Sequence, residues 1–279
     1  MYSPLKQELK MEQAQASIQD SLTKTIQPDS MISESRHCDK HDIDYIVKIW
    51  RRNPVTNRPI EMNRCPQCTV EIEAEQKAEK ERKDAYVRQS AINSRLHNAM
   101  IAPRFKEKTF ENYKPESDGQ KKAVETCEWF LENWNKSVGL ILIGGPGTGK
   151  NHLACALVKK FVAENVKAAL MTEAIKIIRT IKESWRKDGE TETQAINRFI
   201  EPDLLVIDEL GVQFGSDTEK MYLTEIINDR YNYMKPTILI GNLSADEIKQ
   251  CIGERAFDRF REGGKVALFN WTSFRNRKE

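Results

Sequence analysis

Three sets of residues in this chain have types and spacings suited to chemistry. The first is Gly144-Gly145-Pro146-Gly147-Thr148-Gly149-Lys150-Asn151, a G-x4-G-K run preceded by the apolar Ile141-Leu142-Ile143. Glycines so placed let backbone N–H groups close around phosphates at a helix N-terminus, where the dipole favours negative charge, and Lys150 is expected to reach the terminal phosphates. Asn151 stands where Ser or Thr commonly places a hydroxyl on Mg²⁺; its amide oxygen can face the metal directly or through water. The second set is Leu204-Leu205-Val206-Ile207-Asp208-Glu209, an apolar run ending in two carboxylates. Asp208 is expected to hold Mg²⁺ and Glu209 to act as general base on the attacking water. Asn242, closing the apolar run 237–240, is expected to hold that water against the γ-phosphate. The third set is Cys38-x2-His41 and Cys65-x2-Cys68. Each pair can grip one metal from a tight turn, and four N/S ligands give a closed, structural Zn²⁺ site; His37 is an alternative ligand.

These residues need elements to position them. Short apolar runs at 138–143, 167–171, 204–207, 237–240 and 266–269 alternate with stretches long enough for crossover helices, the pattern of an α/β fold with a mostly parallel sheet. Ala123, Val124, Cys127, Phe130, Leu131 and Trp134 mark one face of an amphipathic helix. Ahead of this domain the chain reads in three parts: a polar tail over 1–34, a small zinc-binding module over 35–70, and a charged helical linker over 71–102. In the module, a β-rich run at 44–50 lies between the two ligand pairs. In the linker, Glu73 with Lys77 and Glu79 with Lys83 are i,i+4 pairs of the favourable orientation, as on a solvated spacer. The P-loop ATPase domain occupies 103–279. Cys127, Cys155 and Cys251 fall in helical apolar patterns and read as core, and His152 reads as a packed helix residue beside the phosphate loop.

Charge and composition narrow the function classes. Lys+Arg 44 against Asp+Glu 42 gives a net charge of +2, which excludes coating nucleic acid by bulk charge and leaves room for a local basic site. No apolar stretch approaches the roughly 20 residues that span a bilayer. The first residues lack the basic-then-apolar pattern of an export signal. A cytoplasmic protein without membrane contact is expected, its six cysteines reduced or metal-bound.

The motifs taken together resemble one family. Gly145-Pro-Gly-Thr-Gly-Lys-Asn-His-Leu153, the run from Leu204 to Gln213, Gly253-Glu-Arg-Ala-Phe-Asp-Arg259, Phe269-Asn-Trp-Thr-Ser-Phe-Arg275 and the entry motif Thr109-Phe110-Glu111-Asn112-Tyr113 are similar, in that order, to the DnaC family of AAA+ replicative helicase loaders. The resemblance implies that Arg259, with Arg255 one turn away, is an arginine finger acting on a neighbouring subunit, hence an oligomer. It implies that Arg275 is a second sensor near the γ-phosphate, and that Phe110 and Tyr113 lie near the adenine, with His152 among the ATP-site residues. It places single-stranded DNA against Lys182, Trp185 and Arg186, with Ser216 a further contact and Thr218 lacking the ring expected there. Trp185 stacking on a base and the two cations meeting phosphates is suitable chemistry. A reduced helical lid is expected, because about ten residues follow the last strand. The implied function is ATP-dependent placement of a hexameric, DnaB-like replicative helicase on DNA, with ATP, Mg²⁺ and Zn²⁺ as cofactors. The zinc element would touch the helicase, or DNA through Lys48, Arg51, Arg52 and Arg58. Two alternatives are an IstB-like transposition helper ATPase and a zinc-dependent ATP-binding adaptor without hydrolysis.

Overall fold

The computed structural model describes residues 31–50, 60–61, 64–136, 139–186, 190–211 and 217–274. The chain forms two compact units, the first ending at Ala85 and the second beginning at Tyr86.

In the first unit, β1 (Met31–Cys38) and β2 (Ile43–Trp50) form an antiparallel hairpin, with Cys38 opposite Ile43, and β3 (Ile60–Glu61) pairs with β2. β1 takes in residues 31–34, which the sequence reading assigns to the polar tail. The hairpin turn carries the first ligand pair, so the β-structure precedes as well as follows Cys38-x2-His41. Helix α1 (Pro66–Asn98) starts inside the second ligand pair, ahead of the expected start at 71. Proline as its first residue is favourable, because that position's N–H has no intrahelical partner. The boundary between the units falls within α1.

In the second unit the last turns of α1 are not a solvated spacer. Arg88 donates to the carbonyls of Ala163 (2.9 Å) and Glu164 (3.0 Å), and Ile92 and Ala99 join the core. Beyond α1 lie α2 (Asp118–Asn133), β4 (Gly139–Gly144), α3 (Lys150–Asn165), β5 (Ala169–Glu173), α4 (Ala174–Ser184), α5 (Glu192–Ile200), β6 (Leu204–Leu210), α6 (Asp217–Asn232), β7 (Thr237–Gly241), α7 (Ala245–Ile252), α8 (Glu254–Gly263) and β8 (Lys265–Phe269). Capping boxes start three of these helices: Ser117 with Gln120, Thr191 with Gln194, and Ser244 with Glu247.

The five strands of the second unit form one parallel sheet in the order β5-β6-β7-β4-β8. Strand periodicity splits the core into two layers. Leu140, Leu142, Leu204, Val206, Ile238 and Ile240 face α2 and α3; Ile141, Ile143, Leu205, Ile207 and Leu239 face α4 to α8. From β4 the chain crosses to the far edge at β5 and returns through β6 and β7, and β8 then adds on the other side of β4. The end of β4 is therefore a topological switch point, where a crevice opens beyond the strands' C-termini. Among the described residues no helix is long and apolar enough to cross a membrane.

Candidate nucleotide, metal and DNA sites

The glycine-rich loop leaves β4 at this crevice. Gly144 has φ +150, and a Cβ there would meet the Phe269 carbonyl oxygen at 2.1 Å. Gly149, the N-cap of α3, has φ +99 and lies against the Tyr113 ring. Both positions exclude a side chain, which is why the loop needs glycine there. Thr148 is buried and donates from Oγ1 to the Gly145 carbonyl at 2.8 Å, holding the turn from behind. Lys150 Nζ donates to the carbonyls of Gly144 (2.6 Å) and Gly145 (2.7 Å). The C-terminal segment clasps the loop from the other side: the Trp271 indole N–H donates to Thr148 O at 2.9 Å, and Phe274 N–H to Gly147 O at 2.9 Å.

A cleft of about 630 Å³ opens in front of this loop, within the roughly 300–1,000 Å³ range of small-molecule sites. Pro146, Gly147, Gly149, Lys150, Asn151, His152, Asp208, Glu209, Asn242 and Tyr113 all line it. Asn151 Nδ2 donates to Asp208 Oδ2 at 2.6 Å, so the two residues read as Mg²⁺ ligands are in contact. The β6 ladder slips between Ile207 and Leu210, and Glu209 takes a left-handed φ of 55. This irregularity frees both carboxylates from strand alternation. The Glu209 N–H donates to Asp208 Oδ1 at 2.7 Å. Burial raises the Asp208 carboxyl above its usual range, against the pull of the Glu209 N–H and Asn151. Burial also raises Glu209, reinforced by Glu173 and Asp208. Glu173, the register partner of Asp208 at the end of β5, thus belongs to the carboxylate group; a lone Glu closing a short strand carries no sequence signal for that.

One of the two expectations for the adenine side changes. Phe110 does not line the cleft; it packs against the core with Lys160 Nζ 5.7 Å over its ring. Phe105 and Phe274 line it instead, with Tyr113. Phe274 sits in a motif legible in the sequence, whereas Phe105 has no local signal. Burial pushes the Tyr113 hydroxyl up to about 12, and its buried Oη has no hydrogen-bond partner. The glycine-rich loop at the N-terminus of α3 offers donors suited to phosphates, and Asn151 with Asp208 oxygen ligands suited to Mg²⁺, so the residues lining the cleft fit a nucleotide. His152 lines the cleft and also orders its surroundings. Burial holds its imidazole below the ordinary value, and Nε2 donates to Thr109 O at 2.8 Å, fixing the entry segment that carries Tyr113.

Arg259 lies at the other end of the sheet. Its guanidinium donates to Asn228 Oδ1 at 2.8 Å, stacks 4.6 Å from the Tyr231 ring centre, and shares a small pocket with Gly139 and Thr237, the first residues of β4 and β7. A six-residue strand spans about 17 Å, so this arginine is remote from its own chain's phosphate loop. Near the end of α4, Trp185 is 56% exposed and donates from Nε1 to Glu192 Oε2 at 2.6 Å, an oxygen that also accepts the Tyr222 hydroxyl at 3.0 Å. Lys182 pairs with Glu219 at 2.8 Å, and Arg186 is exposed beside them. Ser216, Arg275, Arg51, Arg52 and Arg58 lie outside the described residues.

In the first unit, His41 Nδ1 lies 3.5 Å from Cys38 Sγ, 3.6 Å from Cys65 Sγ and 3.4 Å from Cys68 Sγ, and Cys38 and Cys68 Sγ are 3.7 Å apart. Ligands about 2.3 Å (S) and about 2.1 Å (N) from a central Zn²⁺ give tetrahedral edges of about 3.8 Å between sulfurs and about 3.6 Å from sulfur to nitrogen. The donor set therefore fits Zn²⁺. His37 is directed elsewhere, to Asp44 (2.9 Å) and Asp42 (3.5 Å).

A parallel sheet with its phosphate loop at the switch point after β4, and an acidic pair on β6 with β7 intervening between the two strands, define a P-loop nucleotide-binding protein of AAA+ type. The profile of the IstB-like ATP binding protein family matches residues 72–276, and the chain belongs to that family. It is 35% identical over 179 residues to the replicative helicase loader DnaC of Escherichia coli K12, covering 63% of this chain and 73% of that protein. The crystal structure of the DnaC helicase loader superposes with a TM-score of 0.54 at 26% identity, over 60% of this chain and 99% of that one. AMPPCP-bound DnaA from Aquifex aeolicus shares the fold, with a TM-score of 0.52 at 22% identity over 61% of this chain and 51% of that one.

Proposed function

We propose that this chain is an ATP-dependent loader that places a hexameric replicative helicase on single-stranded DNA. The observation that carries the reading is the combination of its likeness to DnaC with a cleft that gathers Lys150, Asn151, Asp208, Glu209 and Asn242. ATP with Mg²⁺, when bound, supplies a hydrolysable phosphoanhydride and thus an irreversible release step. The loop N–H groups and Lys150 would hold phosphate oxygens, Asn151 and Asp208 the metal, and the Tyr113 ring would lie beside the base. Glu209 would take a proton from the attacking water, with Asn242 orienting that water. The distance of Arg259 from its own cleft supports a role on a neighbouring copy. The zinc module over 35–70 would dock the helicase, and Trp185, Lys182 and Arg186 would meet the DNA strand.

Co-purification with candidate replicative helicases, with and without ATP, tests the reading. A stable helicase complex is expected with wild type, and Glu209→Gln is expected to stay bound after ATP addition while wild type is released. Recovery of a transposase and no helicase would favour a transposition helper instead. Equal release of wild type and Glu209→Gln would favour an adaptor for which hydrolysis is dispensable.

A further inference from the structure

The zinc-type cluster has a fifth participant. Glu71 lies on α1 three residues beyond Cys68. Its Oε1 is 3.1 Å from His41 Nε2, and its Oε2 is 2.5 Å from Lys40 Nζ. The His41 ring is thus held between two different environments: Nδ1 faces three sulfurs and Nε2 faces a carboxylate. An imidazole that binds a metal through Nδ1 is neutral and carries its proton on Nε2. A carboxylate accepting that N–H fixes the tautomer and ring plane and strengthens the nitrogen as a ligand.

Lys40 gives the carboxylate its own anchor. It sits in the hairpin turn between Cys38 and His41, whereas Glu71 belongs to the helix that carries Cys68. One carboxylate therefore ties the turn bearing one ligand pair to the helix that begins within the other. The competing explanation is an ordinary exposed ion pair between Lys40 and Glu71, which contributes little. The His41 side chain is only 12% exposed, against 44% for Glu71. The His41 contact is thus the protected one, and it has no place in that explanation.

We propose that Glu71, oriented by Lys40, is a positioning residue for a Zn²⁺ site: it accepts a hydrogen bond from the His41 Nε2–H and so selects coordination through Nδ1. The inference rests on the zinc reading above, and its test separates the two. Purified full-length protein is expected to hold about one Zn²⁺ per chain; a metal-free protein would overturn the zinc reading and this inference with it. Competition with a chromophoric chelator then compares wild type, Glu71→Gln and Glu73→Gln. Glu71→Gln is expected to weaken zinc affinity by about 10–100-fold, with Glu73→Gln, an exposed carboxylate on the same helix, near wild type. Zinc bound with wild-type affinity in Glu71→Gln, or lost equally in both variants, would overturn the role of Glu71 and leave the zinc reading standing. Ring-nitrogen NMR of zinc-loaded wild type gives an arm free of any folding defect. A metal-bound Nδ1 and a protonated Nε2 are expected for His41, and coordination through Nε2 would overturn the proposal.

Discussion

Glu209 and Trp185 show how single residues acquire a setting that their neighbours in sequence do not specify. Glu209 sits at a left-handed backbone position created by the slip in β6, which turns its carboxylate toward the cleft beside Asp208. Trp185 is 56% exposed while its N–H edge is held by Glu192. An anchored ring loses little further freedom when a base stacks on it, which favours binding. This sets two effects of Glu192 against each other at the proposed DNA site. As a negative charge it repels phosphates, so its removal should tighten binding; as an anchor for the indole, its removal should weaken binding. Trp185→Ala is expected to weaken single-stranded DNA binding by about 1–3 kcal/mol. Glu192→Ala is expected to weaken it as well where anchoring outweighs repulsion, but in a Trp185→Ala background, where no indole remains to anchor, to leave binding unweakened or slightly tighter. Fluorescence anisotropy with a labelled oligonucleotide measures both, and tighter binding by Glu192→Ala would assign that carboxylate a repulsive role.

At the scale of elements, the sheet and its helices were largely legible because burial alternates with strand period and capping residues mark helix starts. Ser244-x-x-Glu247 ahead of α7 is one such signal. What holds the elements at the start of the sheet was not legible. Arg230 on α6 is fully buried and donates to Thr237 Oγ1 and to the carbonyls of Phe199, Ile200, Pro202 and Pro236. It thus joins the end of α5 to the segments entering β6 and β7. Burial pushes the guanidinium down to about 9, so it stays charged at neutral pH. An Arg in a polar helix reads from sequence as solvated, because its acceptors come from chain segments up to 31 residues away. Arg230→Lys keeps the charge but cannot span these acceptors. It is expected to lower stability by about 2–4 kcal/mol in urea unfolding, and a loss within experimental error would show that the carbonyls find other donors.

At the scale of the whole molecule, the proposed role of Arg259 would make hydrolysis depend on a second copy. One copy would supply the cleft with Glu209, and its neighbour would supply Arg259. Arg259→Ala and Glu209→Gln are each expected to bind ATP and to lose hydrolysis, the former by about 10³-fold. Mixing the two inactive proteins is expected to restore part of the activity, since an interface between them can pair an intact Glu209 with an intact Arg259. No recovery on mixing, with oligomers formed, would place the finger's action within one chain or remove it.

The division between what the residues dictate and what folding adds follows from range. The phosphate loop, the acidic pair and the two ligand pairs are local patterns, in which spacing along the chain already brings donors within a turn of one another, so the sequence alone determined that these groups stand together. Which aromatic side chains line the cleft, which carboxylate holds Trp185, where Glu71 meets His41, and at which end of the sheet Arg259 lies depend on contacts between segments tens of residues apart. Strand order and helix packing set those contacts, so only the tertiary structure decided them.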